Sequence, residues 1–165
     1  MVPLLRTVAR PAAPPAEERA VRKVLVAFDG SPGAWAALDR AIAIAAGQRA
    51  LLTIAAVVQE PRAWATLGPA PVPFTRESLL RDLEREMEQK LAAARDEVPT
   101  EVSVTTRLLH GRPAKVLPAL ADEGDYDLVV VGPRPPGRLR RLLGSSVSRS
   151  LLSRGHISVL AVKEP

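Results

Sequence analysis

Short apolar runs separated by amphipathic stretches set the pattern of this chain. Residues 21–29 (VRKVLVAFD) are rich in valine and end at Asp29-Gly30-Ser31-Pro32. That predicts a strand, a turn and a helix start. Ser31 suits the helix cap and Pro32 its first turn. Trp35, Leu38, Ile42 and Ala45 recur at helical spacing and predict one apolar face, with Gly47 as the stop. Residues 51–58 are apolar almost throughout, as strands buried on both faces of a parallel sheet are.

A long loop with four prolines is expected over 59–75. A helix is expected from about Arg76 to Glu97. Its stripe is Leu80, Leu83, Met87, Leu91, Ala94 and Val98, and Glu77–Arg81 and Glu86–Lys90 stand four residues apart on its charged side. Residues 101–109 read as a third strand. Gly111-Arg112-Pro113 opens a third helix reaching about Asp122, with Pro118 inside it as a point of kinking or shortening. Residues 127–131 form a fourth strand. After a loop over 132–138 a fourth helix runs to about Arg154, and residues 157–162 form a fifth strand. This alternation predicts a three-layer α/β/α fold of Rossmann type. It has one five-stranded parallel sheet and about four helices. Residues 1–20, rich in proline and alanine, are expected to be a mobile tail, and 21–165 one domain.

Composition narrows the chemistry. The 165 residues include no cysteine, which excludes disulfides, thiolate metal sites and cysteine nucleophiles. The two histidines, His110 and His156, lie far apart, so no metal site is expected. Aromatic residues are 3% of the chain, too few for stacking platforms on single-stranded nucleic acid. No run is long and apolar enough for a transmembrane helix, and the start lacks a secretory pattern. A cytoplasmic protein is the expectation. The net charge is +5, and Arg134, Arg138, Arg140, Arg141, Arg149 and Arg154 more than account for it. Basicity is therefore a local patch, suited to a phosphate-bearing small molecule more than to a duplex.

In parallel α/β sheets ligands sit beyond the carboxyl ends of the strands, near the point where strand order reverses. That selects Asp29, the region of Val57 and the loop after Val131. A carboxylate at Asp29 can accept hydrogen bonds from a ribose or a base amine, or it can cap its own turn. The segment from Gly132 offers Gly144-Ser145-Ser146 near a helical turn, where amides and hydroxyls can hold phosphate oxygens. Neither a Walker A pattern nor a dinucleotide fingerprint follows the first strand. No catalytic triad is legible, and His110 reads as a bystander at a strand end. Asp122–Glu123 and Asp125–Asp127 read as a solvated helix end.

These segments resemble the universal stress protein family from Val21 to Val162. VRKVLVAFDGSPGAWAALDRAIAIA is similar to its opening strand, turn and helix. LLHGRPAKVLPALADEGDYDLVVVG is similar to its third helix and fourth strand, and SVSRSLLSRGHISVLAV to its closing helix and strand. The resemblance implies an adenine nucleotide alpha-hydrolase-like fold and a homodimer paired through the last strand, here Ile157 to Val162. Some members bind ATP through G-x2-G-x9-G-[ST] after the fourth strand, with an aspartate and a valine on the adenosine. Carried over, these positions are Asp29 and Val57 at one end. Gly132, Arg134, Ser145, Ser146 and Val147 stand at the other. Pro135 and Ser145 replace two of the motif glycines, and the Ser145-Ser146 pair is similar to the branch typified by universal stress protein A, which does not bind ATP.

Two readings stay open. One is a dimeric stress-response regulatory or interaction protein without turnover. The other is a module binding ATP, ADP or AMP, with Mg²⁺ entering only with the nucleotide and slow ATP hydrolysis as its extension. Catalytic residues and resident metals are not expected, nor is a nucleic-acid or membrane partner.

Overall fold

The computed structural model describes residues 20–59, 76–132, 146–153 and 157–162. Along them run β1 (Lys23–Ala27), α1 (Pro32–Gln48), β2 (Leu51–Val58), α2 (Arg76–Asp96), β3 (Val104–His110), α3 (Pro113–Glu123), β4 (Leu128–Val131), α4 (Ser146–Leu152) and β5 (Ser158–Ala161). All strand pairs are parallel, in the order β3-β2-β1-β4-β5. The expected tail, proline-rich loop and arginine-bearing loop fall largely outside the described residues. No helix among the described residues is long and apolar enough to cross a membrane.

Strand alternation sends side chains to two cores. Val24, Val26, Leu52, Ile54 and Val130 pack with α1 and α2. Leu25, Ala55, Val129 and Val131 pack with Leu117, Ala121, Val147 and Leu151 of α3 and α4. Each large apolar side chain buried this way contributes roughly 1.5–3 kcal/mol relative to exposure. Among the described residues one polar residue is almost wholly buried. Thr53, 1% exposed, receives a hydrogen bond from the Tyr126 hydroxyl at 2.9 Å and shares another with Thr105 at 3.0 Å. Thr53 is thereby satisfied, as burial of a hydroxyl requires.

Several boundaries differ from expectation. α1 passes through Gly47, and its left-handed cap is Arg49 at φ 54°. The α1 face against the sheet is built mainly from Ala34, Ala37, Leu38, Ala41 and Ala45, while Trp35 and Ile42 are half-buried at its margin. Small residues let the helix approach the strands closely. Trp35 instead meets Phe28 edge-on, with ring centroids 4.9 Å apart. β3 starts at Val104, because the Val102 N–H turns back to the Pro99 carbonyl at 3.0 Å. Asp127 is not part of a solvated helix end. Its Oδ2 accepts the Arg22 and Lys23 N–H groups at 2.8 and 3.0 Å, tying the start of β1 to the start of β4. The α2 stripe lies as expected, with Leu91, Ala94 and Val98 buried, and both ion pairs form on its outer side.

Pro118 leaves α3 continuous to Glu123. Proline lacks the N–H that would bond the carbonyl four residues back, at Ala114. The Ser150 hydroxyl of α4 donates to that carbonyl at 2.8 Å. A second close fit joins β4 to α1. A Cβ built on Gly132 would fall 2.0 Å from the Gly33 carbonyl oxygen and 2.3 Å from its carbon. Only glycine lets the two backbones approach so closely.

Two sets of substitutions test these contacts. Ser150→Ala should lower unfolding stability by about 1–3 kcal/mol, and adding Pro118→Ala should recover part of that loss. A neutral Ser150→Ala in denaturant unfolding would count against the compensation. Gly132→Ala should cost about 1–3 kcal/mol by overpacking. Gly47→Ala, whose added carbon meets nothing within 4 Å, should instead stabilise by about 0.5–1 kcal/mol.

Candidate functional site

The path of the chain across the sheet reverses at β1. β2 and β3 lie to one side of it, β4 and β5 to the other. A crevice opens beyond the carboxyl ends of β1, β2 and β4, as strand-order reversal dictates. Its volume is about 170 Å³. Phe28 and Asp29 follow β1 into it, Val57 and Gln59 come from the end of β2, and Val131 and Gly132 from the end of β4. Ser31 and Ala34 of the α1 start, Met87 of α2, Pro113 and Leu117 of α3 and Val147 of α4 complete its sides.

Asp29 is exposed, and its Oδ1 accepts the Ser31 N–H at 3.0 Å. This is the turn-capping role that the sequence offered as one of two. Its Oδ2 has no hydrogen bond among the described residues, so the same carboxylate can still accept from a ligand. Gly30, at φ +78°, makes the turn possible, and the Lys90 stem of α2 lies across it where a Cβ would come within 2.8 Å. The Ser31 side chain accepts the Ala34 N–H at 3.2 Å, which caps α1 as expected.

The structure brings Asp29, Val57, Gly132 and Val147 to one cleft. Val147 is 9% exposed, in the first turn of α4. Ser146 is the first residue of that helix. Arg134 and Ser145 lie outside the described residues. Gly132 has a packing reason to be glycine that is independent of any ligand, its backbone contact with Gly33.

Sequence reading missed Phe28, Met87, Pro113 and Leu117 as cleft residues. Met87 is the one methionine of the α2 stripe, and Phe28 is the residue before Asp29. Assigning either to a wall needs the tertiary fold. His110 was read as a bystander, yet its Nε2 lies 2.8 Å from Glu84 Oε1. The contact joins the end of β3 to α2, one helical turn from Met87. Both side chains are partly exposed, so the contact stabilises little.

Asp29 is the one ionisable residue in the described lining. The walls can hold an apolar ring against Phe28, Val57, Met87 and Leu117 while Asp29 accepts from a hydroxyl or an amine. Ser31 is engaged as a cap, and the described lining supplies no imidazole or amine to act as its base.

Comparison with known proteins agrees with this architecture. Residues 20–163 match the sequence pattern of the Universal stress protein family. A relative from Staphylococcus haemolyticus, named as a universal stress protein, is 30% identical over 146 residues, covering 86% of this chain and 84% of its own. The crystal structure of a universal stress protein family member from Burkholderia pseudomallei is similar at a TM-score of 0.66 and 26% identity. That match covers 87% of this chain and 97% of the other. The crystal structure of a universal stress protein in complex with cAMP is similar at a TM-score of 0.56 and 30% identity, over 87% of this chain and 98% of the other. A match across nearly the whole described fold, together with the reversal crevice, places the chain in the universal stress protein family.

Proposed function

We propose that this protein is a cytoplasmic, homodimeric stress-response regulator whose cleft receives the adenosine part of an adenine nucleotide. The observation that carries the reading is the meeting of Asp29, with one carboxylate oxygen unengaged, and Val57 in an apolar crevice at the strand-order reversal. A ribose diol or an adenine amine supplies the donors that Asp29 accepts. The apolar side chains of the crevice suit the faces of a purine. The similar protein solved with cAMP supports an adenine ligand. Gly132, Val147 and, by their motif positions, Arg134, Ser145 and Ser146 belong to the far end of the same site in this reading.

Dimerisation is proposed through β5, the outermost strand on its side of the sheet. The Ser158 and Val162 N–H groups point inward to Asp127 and Val131. By strand alternation the Val159 and Ala161 N–H groups point outward, free to pair with a second copy. Leu152 of α4, the helix beside β5, is 65% exposed.

Two measurements test these readings. Asp29→Ala should weaken adenosine binding by about tenfold or more, the effect of losing a charge-assisted hydrogen bond. Calorimetric titration of both proteins with adenosine reads this, and equal affinities would assign Asp29 to its turn alone. Ala161→Pro removes an outward N–H while leaving the β4–β5 bonds in place, as proline on an edge strand does. Sedimentation should then show monomers with unchanged circular dichroism. A dimer that survives would locate the interface elsewhere.

A further inference from the structure

We infer that the outer edge of β3 and the groove beside it form a homotypic interface, where two copies of this chain pair their β3 strands antiparallel about a two-fold axis at Thr106. The contact is separate from the cleft and from the β5 pairing. β3 is the last strand on its side of the sheet. The Gly111 N–H donates to the Val58 carbonyl, and the Ser103 carbonyl accepts the Leu52 N–H. By alternation the N–H groups of Val104, Thr106, Leu108 and His110 point outward. The strand runs seven residues in unbroken register with β2 and carries no proline, lysine or bulge. Those are common means of keeping an edge from pairing.

A groove of about 300 Å³ follows this edge, between β3 and α2. Elsewhere on α2 the charges are matched. Glu77 pairs with Arg81, Asp82 with Arg85, Glu84 with His110 and Glu86 with Lys90. Glu88, Arg95 and Asp96 form no ion pair among the described residues, and all three line the groove. Glu88 and Arg95 lie about two helical turns apart. The groove therefore has an acid toward one end and a guanidinium toward the other, with Asp96 beside it. A two-fold axis between them, near Leu91 and Ala92, sets Glu88 opposite the partner's Arg95 and Arg95 opposite the partner's Glu88. A surface that complements itself in this way fits a second copy of the same chain.

The strand asks for the same axis. Outward-pointing residues must meet outward-pointing residues, which leaves two registers that pair most of β3. An axis at Arg107 sets two guanidinium groups directly opposite each other, a repulsive pair. An axis at Thr106 pairs Thr106 with itself, Val104 with the partner's Leu108, and Thr105 with the partner's Arg107. Val104 and Leu108 are half-buried on the α2 side and gain cover, while Thr105 and Arg107 are exposed on the opposite face. Thr106 shares the groove with Leu91 and Ala92, so strand and helix place the axis together. One strand pair with its flanking helices is a small interface, and a dissociation constant of roughly 10–100 μM is expected.

The chain has no cysteine, so an introduced thiol reads the contact directly. Opposed residues of an antiparallel pair have Cα atoms about 5.5 Å apart, within disulfide reach. In the Ala161→Pro background, where β5 pairing is blocked, Thr106→Cys at about 100 μM should oxidise to a linked dimer about tenfold faster than Ala43→Cys, on the exposed side of α1. Equal rates overturn the inference. Sedimentation at high concentration gives a second reading. Thr106→Pro removes an outward N–H and keeps the β2–β3 bonds. It should abolish association beyond the β5 dimer with unchanged circular dichroism. Glu88→Arg should weaken that association about tenfold, and adding Arg95→Glu should restore it. Failure of the second charge reversal to restore it overturns the inference. Association lost in Ala161→Pro but intact in Thr106→Pro overturns it too and leaves the β5 reading standing. The reverse pattern makes β3 the dimer seam and overturns the β5 reading instead.

Discussion

Two parallel strands cannot be joined by a tight turn, so every connection in this sheet crosses one of its faces. β1 lies in the middle. The chain leaves it toward β2 and β3 by way of α1 and α2 on one face, then returns past it to β4 and β5 with α3 and α4 on the other. Because the helices diverge at β1, no side chain among the described residues of either layer fills the space beyond its carboxyl end. The crevice is therefore a product of connectivity. Phe28, Asp29, Val57 and Gly132 are functional candidates because of where their strands end, before any consideration of what they bind.

The close approach of Gly132 to Gly33 changes how a motif should be read. A glycine after the fourth strand looks like a phosphate-loop residue, since such loops need bare backbone near the ligand. Here the bare backbone faces the protein's own α1. Retention of that glycine is compatible with either presence or absence of a ligand. The informative positions are the remaining ones of the motif, and Pro135 and Ser145 are where this chain departs.

Much of the fold was legible locally. Residues 51–58 announced β2 because both of its faces are covered, leaving no polar alternation to blur its ends. Ser31-Pro32 announced α1 because capping is a short-range effect. What escaped local reading depends on distant partners. Gly47 looked like a helix stop, but the chain takes its left-handed turn at Arg49, beside Ala50, which is buried in the core. Asp127 looked like a solvated acid because its partners, the Arg22 and Lys23 amides, lie across the sheet. The site was half legible for the same reason. Strand ends located Asp29 and Val57, whereas Met87 and Leu117 enter the cleft only once α2 and α3 are docked on opposite faces.

Ser150 and Pro118 carry a consequence for the order in which the molecule completes itself. A ribosome delivers α3 well before α4, and until Ser150 arrives, 36 residues beyond Ala114, that carbonyl has only water to bond. β4 meanwhile is only partly covered, because both β5 and the Val147 and Leu151 side chains above it come later. α4 spans seven residues, too short to be stable as an isolated helix. It gains its shape by docking, and it docks where a proline has left a carbonyl waiting. The last helix and strand of the sheet thus close its edge, the second core and one side of the cleft together.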